Sequence, residues 1–456
     1  LRSARSGPAA KALAGFLGLI AVAGVAQAAP PAADDPVEQA VQAVSAARIE
    51  ADVRRLAAFG TRHTLSETTS AERGIGAAAR WVQAQFDSIS AANGGRLWVV
   101  CDEWDQEPEE RVPAPARLAN VVAILPGSSG ADDVCFVVGG HLDSRAADVM
   151  DATSDAPGAD DDASGIAVVL ESARVLAGSQ WNHTLVFIAF TGEEQSLLGS
   201  THWAELAKAN GERIGGMIAV DMAGNTRAAD GSLVDSYVRV FSEGVPAVED
   251  EAASRLRAAT GGENDSPSRQ WARYVREAAV KYLPGFEARL VFRRDRFLRG
   301  GDHIPFNQAG YTAVRMTEAV ENYDHQHQNP RTENGTRIGD LPEFVDFAYA
   351  ARVAGVAVAA LGEAAIAPAA PRGVTIDVSG LAVDTTLRWE PGAEAGLAGY
   401  RVVWRATTEP VWTHFRDLGP VSEITLPLSK DDLLFGVQAR DGDGHLSPAV
   451  VPVPKR

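Results

Sequence analysis

The chain has 456 residues, 46% hydrophobic and 22% charged, with a formal net charge of −18. That length accommodates two or three domains with sizeable cores. The acidic balance offers no basic field to attract phosphate, so nucleic acid is excluded as an expected partner.

Residues 1–28 stand apart. Arg2, Arg5 and Lys11 frame the start of an apolar segment over 12–26, and Ala26-Gln27-Ala28 supplies a small-x-small cleavage site. The apolar core is short and Gly-rich for a membrane span. The pattern reads as a secretory signal peptide cut after Ala28, which makes the protein secreted or periplasmic. No later run reaches 18 consecutive apolar residues, so no integral membrane segment is expected after signal removal. Residues 29–36 form a Pro/Ala-rich leader.

From 37 to 59, apolar residues recur at helical spacing (Val41, Val44, Ile49, Val53, Leu56) and stop at Gly60. A second amphipathic helix is expected over 71–90, with Ile75, Trp81, Val82, Phe86 and Ile89 on one side. Residues 96–100 and 118–125 read as strands, and 126–130 as a turn. Cys101 and Cys135 could pair in an oxidising compartment. Each lies in an apolar strand-like run, however, where a free thiol packs as a small hydrophobe. No CxxC or Cys/His spacing points to a structural zinc site.

The densest chemistry follows. The apolar run 134–138 reads as a buried strand and ends in Gly139-Gly140-His141-Leu142-Asp143-Ser144. Residues 158–165 (GADDDASG) lead into a helical pattern over 166–176. A second apolar run, 184–190, ends in Thr191-Gly192-Glu193-Glu194. Strand, acidic loop, helix, strand and acidic loop make an α/β unit, in which function gathers outside the carboxyl ends of the strands. A helix is expected over 195–210, and 215–222 reads as a strand with Asp221 near its end. Residues 238–241 suggest another strand, 245–285 are polar and helical in pattern, and 290–292 form a short strand. The segment 296–306 (RFLRGGDHIPF), a strand over 313–318, a polar loop over 321–332 holding His325 and His327, and an Ala-rich helix over 342–366 complete this part.

Three adjacent aspartates alone would read as a solvated loop. Buried together, they need a cation or protons to neutralise them. His141, the Glu193-Glu194 pair and Asp221 tilt the balance, because imidazole nitrogen and carboxylate oxygen suit a borderline divalent cation. A paired glutamate lets one carboxylate bind metal while its neighbour handles a proton. GxSxG and HExxH are both absent, which fits activation of water without a Ser or Cys nucleophile.

Residues 367–371 (APAAP) read as a linker. Beyond them the texture changes to short runs at 386–389, 399–404, 424–426 and 433–439, which suggest an all-β sandwich over 372–456. The stretch resembles a fibronectin type III module through Trp389, Tyr400 and the pattern Phe435, Val437, Ala439, Gly442, Gly444, Ser447. Leu433 stands where that module carries its corner tyrosine. No catalytic constellation falls here, so the expected role is a spacer or a surface-binding domain.

The order HxD, GADDDASG, GEE, VDM and a late His-containing loop resembles the co-catalytic zinc aminopeptidases of metallopeptidase family 28 (clan MH), over roughly residues 50–365. The resemblance implies a catalytic domain over 37–366 with a mixed central β-sheet flanked by helices, the zinc-dependent exopeptidase fold. It also implies two Zn2+ ions and a peptide substrate with a free N-terminus. His141 and Asp221 would bind one ion, Glu194 and a late histidine the other, and Asp161 would bridge them, with a cis peptide bond between Asp161 and Asp162. Glu193 would be the general base acting on a water between the ions. Asp143 would orient His141 through its other ring nitrogen. His327 is followed five places on by Thr332, as in relatives, although Arg331 replaces their acid; His325 is the alternative ligand. Asp302 and His303 resemble a segment near the substrate pocket, with a salt bridge or helix cap as the plain alternative. Glu318 supports either the site or a core ion pair. Arg294, Arg296 and Arg299 near Asp302 keep open a carboxypeptidase or other amide hydrolase, including a glutaminyl cyclase-like enzyme.

Overall fold

Apolar runs of the kind just described assemble into one eight-stranded sheet. The computed structural model describes residues 31–456 apart from 33, 130–133 and 395. The expected signal peptide therefore lies outside the described residues. Strands β1 (Trp98–Gln106), β2 (Ala116–Leu125), β3 (Cys135–His141), β4 (Thr184–Phe190), β5 (Ile214–Val220), β6 (Tyr237–Ser242), β7 (Glu287–Val291) and β8 (Ala313–Thr317) lie in the order β1-β2-β4-β3-β5-β8-β6-β7. The central strands β4, β3, β5 and β8 are parallel, while β2 and β6 flank them antiparallel. The sheet is mixed, as the resemblance implies.

The helices are α1 (Pro36–Gln42), α2 (Ala46–Ala57), α3 (Gly74–Ala92), α4 (Ala163–Leu176), α5 (Leu198–Asn210), α6 (Glu251–Thr260), α7 (Pro267–Tyr282), α8 (His303–Ala309) and α9 (Phe347–Ile366). Successive strand side chains point to opposite faces, and both faces here are covered. Val121, Ala123, Phe187, Ala189, Ile218 and Val220 join the core made with α2, α3, α4, α7 and α9. Their neighbours Val122, Val186, Ile188, Met217 and Ala219 pack on the other side with Ala204 of α5 and Phe306 of α8. Helix α9 is long and apolar enough to cross a membrane, but 83% of its most apolar window is buried inside the protein. It is a core helix.

Topology creates the site. From β3 the chain passes through α4 to β4 on one side, then through α5 to β5 on the other. Reversal of strand order at β3 opens a crevice at the carboxyl ends of these strands.

Several expectations change on contact with the structure. The single helix read over 37–59 is two. Asp35 caps α1 with Pro36 in its first turn, and Ser45 caps α2, so a cap signal inside the periodic run divides it. Strand β1 runs on to Gln106 through Asp102, Glu103 and Asp105; charges suit an edge strand yet read as loop. Helix α8 starts within the segment 296–306, to which no element was assigned, and a hairpin of β9 (Arg331–Glu333) and β10 (Thr336–Ile338) begins at the end of the expected polar loop. Cys101 and Cys135 are not joined to each other by a disulfide. They sit on β1 and β3, three strand spacings apart, about 14 Å, beyond disulfide reach.

Beyond residue 371, β11 (Thr375–Asp377), β12 (Thr385–Arg388), β13 (Leu397–Ala406), β14 (His414–Leu418), β15 (Glu423–Leu426), β16 (Leu433–Asp441) and β17 (Val453–Lys455) form sheets of four and three strands. Leu387, Trp389, Tyr400, Val402, Phe435 and Val437 fill the space between them. This sandwich is docked on the larger part by buried polar contacts. Arg405 Nη2 lies 2.7 and 2.9 Å from the two Asp265 oxygens. Glu363 of α9 accepts from His445 Nδ1 at 2.9 Å, the Leu446 amide at 3.1 Å and Lys281 Nζ at 3.0 Å.

Burial alone would raise the Glu363 carboxyl, but His445, Lys281 and Tyr282 hold it down at about 2. Burial works to lower the His445 imidazole, and Glu363 outweighs it and raises it. A depressed carboxyl stabilises the fold above its unfolded value near 4.3, and that contribution is lost as pH falls toward 2. A raised imidazole stabilises below its unfolded value near 6.5, and that is lost as pH rises through its folded value. Glu363→Ala should therefore cost about 3–5 kcal/mol. Thermal melts should show the gap from wild type widest between about pH 4.5 and 6.5.

Candidate metal centre

Each acid or imidazole of the centre is placed by the end of a regular element. His141 is the last residue of β3, and Asp221 directly follows β5. Glu193 and Glu194 follow β4 by a few residues, and Asp161 sits just ahead of α4. Asp162, the N-cap of α4, ties three elements: it accepts from the amides of His141 (2.9 Å), Gly165 (2.9 Å) and Met222 (3.2 Å). Gly140 permits this approach, since a Cβ there would stand 2.9 Å from Asp162 Oδ2 and 3.0 Å from the Gly165 carbonyl carbon. The Asp161-Asp162 peptide is cis, as the resemblance implies.

Two groups of donors result, and they share Asp161. His141, Asp161 and Asp221 form one; Asp161, Glu194 and His327 form the other; within each, the ligand atoms lie within 4.8 Å of one another. His141 Nε2 is 3.0 Å from Asp161 Oδ1, while His327 Nε2 is 3.0 Å from Asp161 Oδ2 and 2.9 Å from Glu194 Oε1. His141 Nε2 and Glu194 Oε1 are nevertheless buried with no hydrogen-bond partner. Short separations without hydrogen-bond direction mean that these atoms converge on common points rather than on each other. Each triad offers one nitrogen and two carboxylates, a set suited to zinc that leaves a position open for a water or substrate atom.

The sequence profile of Peptidase family M28 matches residues 120–341. A probable zinc metalloprotease of Leptosphaeria maculans is 46% identical over 424 residues, covering 93% of this chain and 98% of that protein. Another from Pyricularia oryzae is 44% identical, covering 92% and 85%. This chain belongs to peptidase family M28. It is a zinc-dependent peptide-bond hydrolase by that membership. The fold is also that of the Legionella pneumophila LapA aminopeptidase (TM-score 0.52, 17% identity, 73% of this chain and 75% of that one) and of an Aneurinibacillus aminopeptidase (TM-score 0.50, 15% identity, 72% and 96%).

Against the roles the M28 resemblance implies, the structure makes two corrections and favours one of two alternatives. Asp143 orients His141 through its main chain: Nδ1 lies 3.0 Å from the Asp143 carbonyl oxygen and 3.7 Å from its carboxylate. That carboxylate instead accepts from the amides of Gly192 (2.9 Å), Glu193 (3.2 Å) and Glu194 (3.1 Å), and from Thr64 Oγ1 (3.1 Å). It shapes the Glu193-Glu194 loop. Between the two late histidines the geometry selects His327, which adopts φ +55° beside the acids, while His325 stacks on Phe344 at 3.8 Å. Asp302 and His303 are buried at the start of α8, outside the cleft lining, with His303 Nε2 on the Arg294 carbonyl at 2.8 Å. Burial raises Asp302 to about 7 and lowers His303 to about 4.

Of the other residues at the centre, all but Glu318 escaped sequence reasoning. Asp340 receives the amides of Asp160 (2.7 Å) and Asp161 (2.8 Å), so it fixes the backbone beneath the shared carboxylate. Gln326 donates to Asp161 Oδ2 at 2.9 Å. Arg315, fully buried on β8, stands 2.9 Å from Asp221 Oδ1 and donates to the Gly300 carbonyl at 2.8 Å. Glu318 is hydrogen-bonded to the Asp160 carboxyl, with burial and then that neighbour raising it well above the usual range. It forms an acid–acid pair rather than an ion pair. Apart from Glu318 just past the end of β8, none of these has a local motif; only their distance to Asp161 or Asp221 marks them.

His327→Ala should lower zinc retention after dialysis at least about tenfold, the scale set by disturbing a metal site's immediate support. His325→Ala should leave it unchanged, as read by elemental analysis.

Proposed function

We propose that the protein is an exported aminopeptidase that holds two zinc ions and removes N-terminal residues from peptides, with Glu193 as general base. The observation carrying this reading is the single Asp161 carboxylate set between two donor triads. Export is supported by the charged, apolar and small-x-small pattern of residues 1–28. Zinc bound at the triads supplies Lewis-acid polarisation of the scissile carbonyl and lowers the pKa of a water.

The chain's own residues supply the proton handling. Glu193 lines the cleft beside Asp161, Glu194 and Asp221. Burial, followed by the Asp221, Glu194 and Asp302 charges and opposed by His141, raises its carboxyl well above the usual range. A carboxylate of raised pKa takes a proton from the attacking water and passes it to the leaving amine. Asp143 keeps Glu193 in place by accepting its amide hydrogen. His141 is fixed in one orientation by the Asp143 carbonyl, so Nε2 faces the acids.

A second reading, a carboxypeptidase or another amide hydrolase on this scaffold, draws support from Arg296 and Arg299 in the cleft lining. A terminal-blocked series separates the two. N-acetylated peptides should resist cleavage and C-amidated ones should be cut; the reverse pattern favours the second reading. Glu193→Gln should keep its zinc while kcat falls about 10²–10⁴-fold. Undiminished turnover would remove Glu193 from the role of base.

A further inference from the structure

The charge lining the cleft is divided in a telling way. Its four carboxylates, Asp161, Glu193, Glu194 and Asp221, all belong to the triads or serve as the proposed base. Apart from His327, every other charged side chain lining it is an arginine: Arg111, Arg296 and Arg299. No acid is left over in the lining to offset them.

Nor are these arginines neutralised one for one. Arg296 Nη1 and Arg299 Nη1 share a single Glu321 oxygen at 3.1 and 2.8 Å, and Arg239 Nη2 takes the other at 2.9 Å. Arg296 also has Asp295 at 3.2 Å and is nearly buried, so it is the best satisfied of the three. Arg299 has only its share of Glu321, and its side chain is 31% exposed. Arg111 donates Nη1 to the Glu194 carbonyl at 2.8 Å, which fixes the guanidinium beside the centre, and no carboxylate pairs with it among the described residues. A guanidinium has five donors in a planar fork that matches a carboxylate, and here most of them remain available at the cleft.

We propose that Arg111 and Arg299 bind a carboxylate carried by the substrate within about a residue of the scissile bond. The preferred substrates are then short peptides that end just past that bond, or longer ones with an acidic residue there. This inference rests on the aminopeptidase reading and narrows its substrate class. Such a contact mainly strengthens binding, because the carboxylate is present in ground state and transition state alike. It should also weaken with salt, since Arg299 is partly exposed.

The test compares kcat/KM of the zinc-loaded, full-length enzyme for Leu-Ala, Leu-Ala amide and Leu-Glu amide. We expect at least one carboxylate-bearing substrate to exceed Leu-Ala amide by about tenfold or more, chiefly through KM, as one charge-assisted hydrogen bond would give. Preference for Leu-Ala alone assigns the carboxylate to the chain terminus; preference for Leu-Glu amide alone assigns it to a side chain. The ratio should shrink as NaCl rises from about 0.05 to about 0.5 M, a readout that needs no variant. It should also shrink in Arg111→Gln and Arg299→Gln, with Arg299→Lys intermediate. A wild-type ratio near one, or a ratio indifferent to both salt and the arginine variants, overturns the inference and leaves the aminopeptidase reading standing. Release of leucine from none of the three overturns both.

Discussion

One carboxylate organises the centre. Asp161 presents Oδ1 to His141 and Oδ2 to His327, each at 3.0 Å, from a position six per cent exposed. Around it lie Asp160, Asp162, Glu193, Glu194 and Asp221, so negative charge is concentrated where water is scarce. Such a cluster is costly unless cations or protons offset it. The protein answers in two ways. Ligand atoms are aimed at common points where a divalent cation fits, and acids farther back are hydrogen-bonded to each other, as in the Glu318–Asp160 pair.

Much of the remaining architecture serves to hold that arrangement still. Asp162, Asp340 and Asp143 act as backbone clamps rather than as ligands. Asp162 joins β3, α4 and the end of β5; Asp340 grips the two amides ahead of α4; Asp143 collects three successive amides of the loop after β4. Each accepts main-chain hydrogen bonds with a carboxylate, the stronger class of acceptor for an N–H donor. The ligand side chains therefore stand on loops that behave as extensions of the sheet. This pre-organisation matters because a metal centre gains little from ligands that must first be ordered.

Chemistry and docking meet at opposite ends of the same scaffold. The cleft is lined by both carboxylates and arginines, groups that suit a cation and groups that suit an anion. Away from it, α9 carries Glu363 to the sandwich, where His445, Lys281 and a backbone amide meet one buried carboxylate. The seven-strand unit is thus held through charged and hydrogen-bonded pairs as well as by the chain that connects it.

The residues themselves determined a good deal. Strands β2, β3, β4, β5 and β8 were legible because both faces are buried and their apolar runs are nearly unbroken. His141, Glu193, Glu194 and Asp221 were legible because each stands at or just past the end of such a run, and Asp161 because it sits in an acidic run just ahead of α4. Tertiary structure alone decided the rest. Asp340, Gln326, Arg111 and Arg315 approach the centre from distant stretches, with no local pattern to announce them. His327 prevailed over His325 through backbone conformation and the Phe344 stack. Asp143 has both a carbonyl and a carboxylate, and only the folded geometry shows which of them faces His141. Local patterns fix which residues leave a strand end; the order of strands in the sheet fixes which of those ends meet.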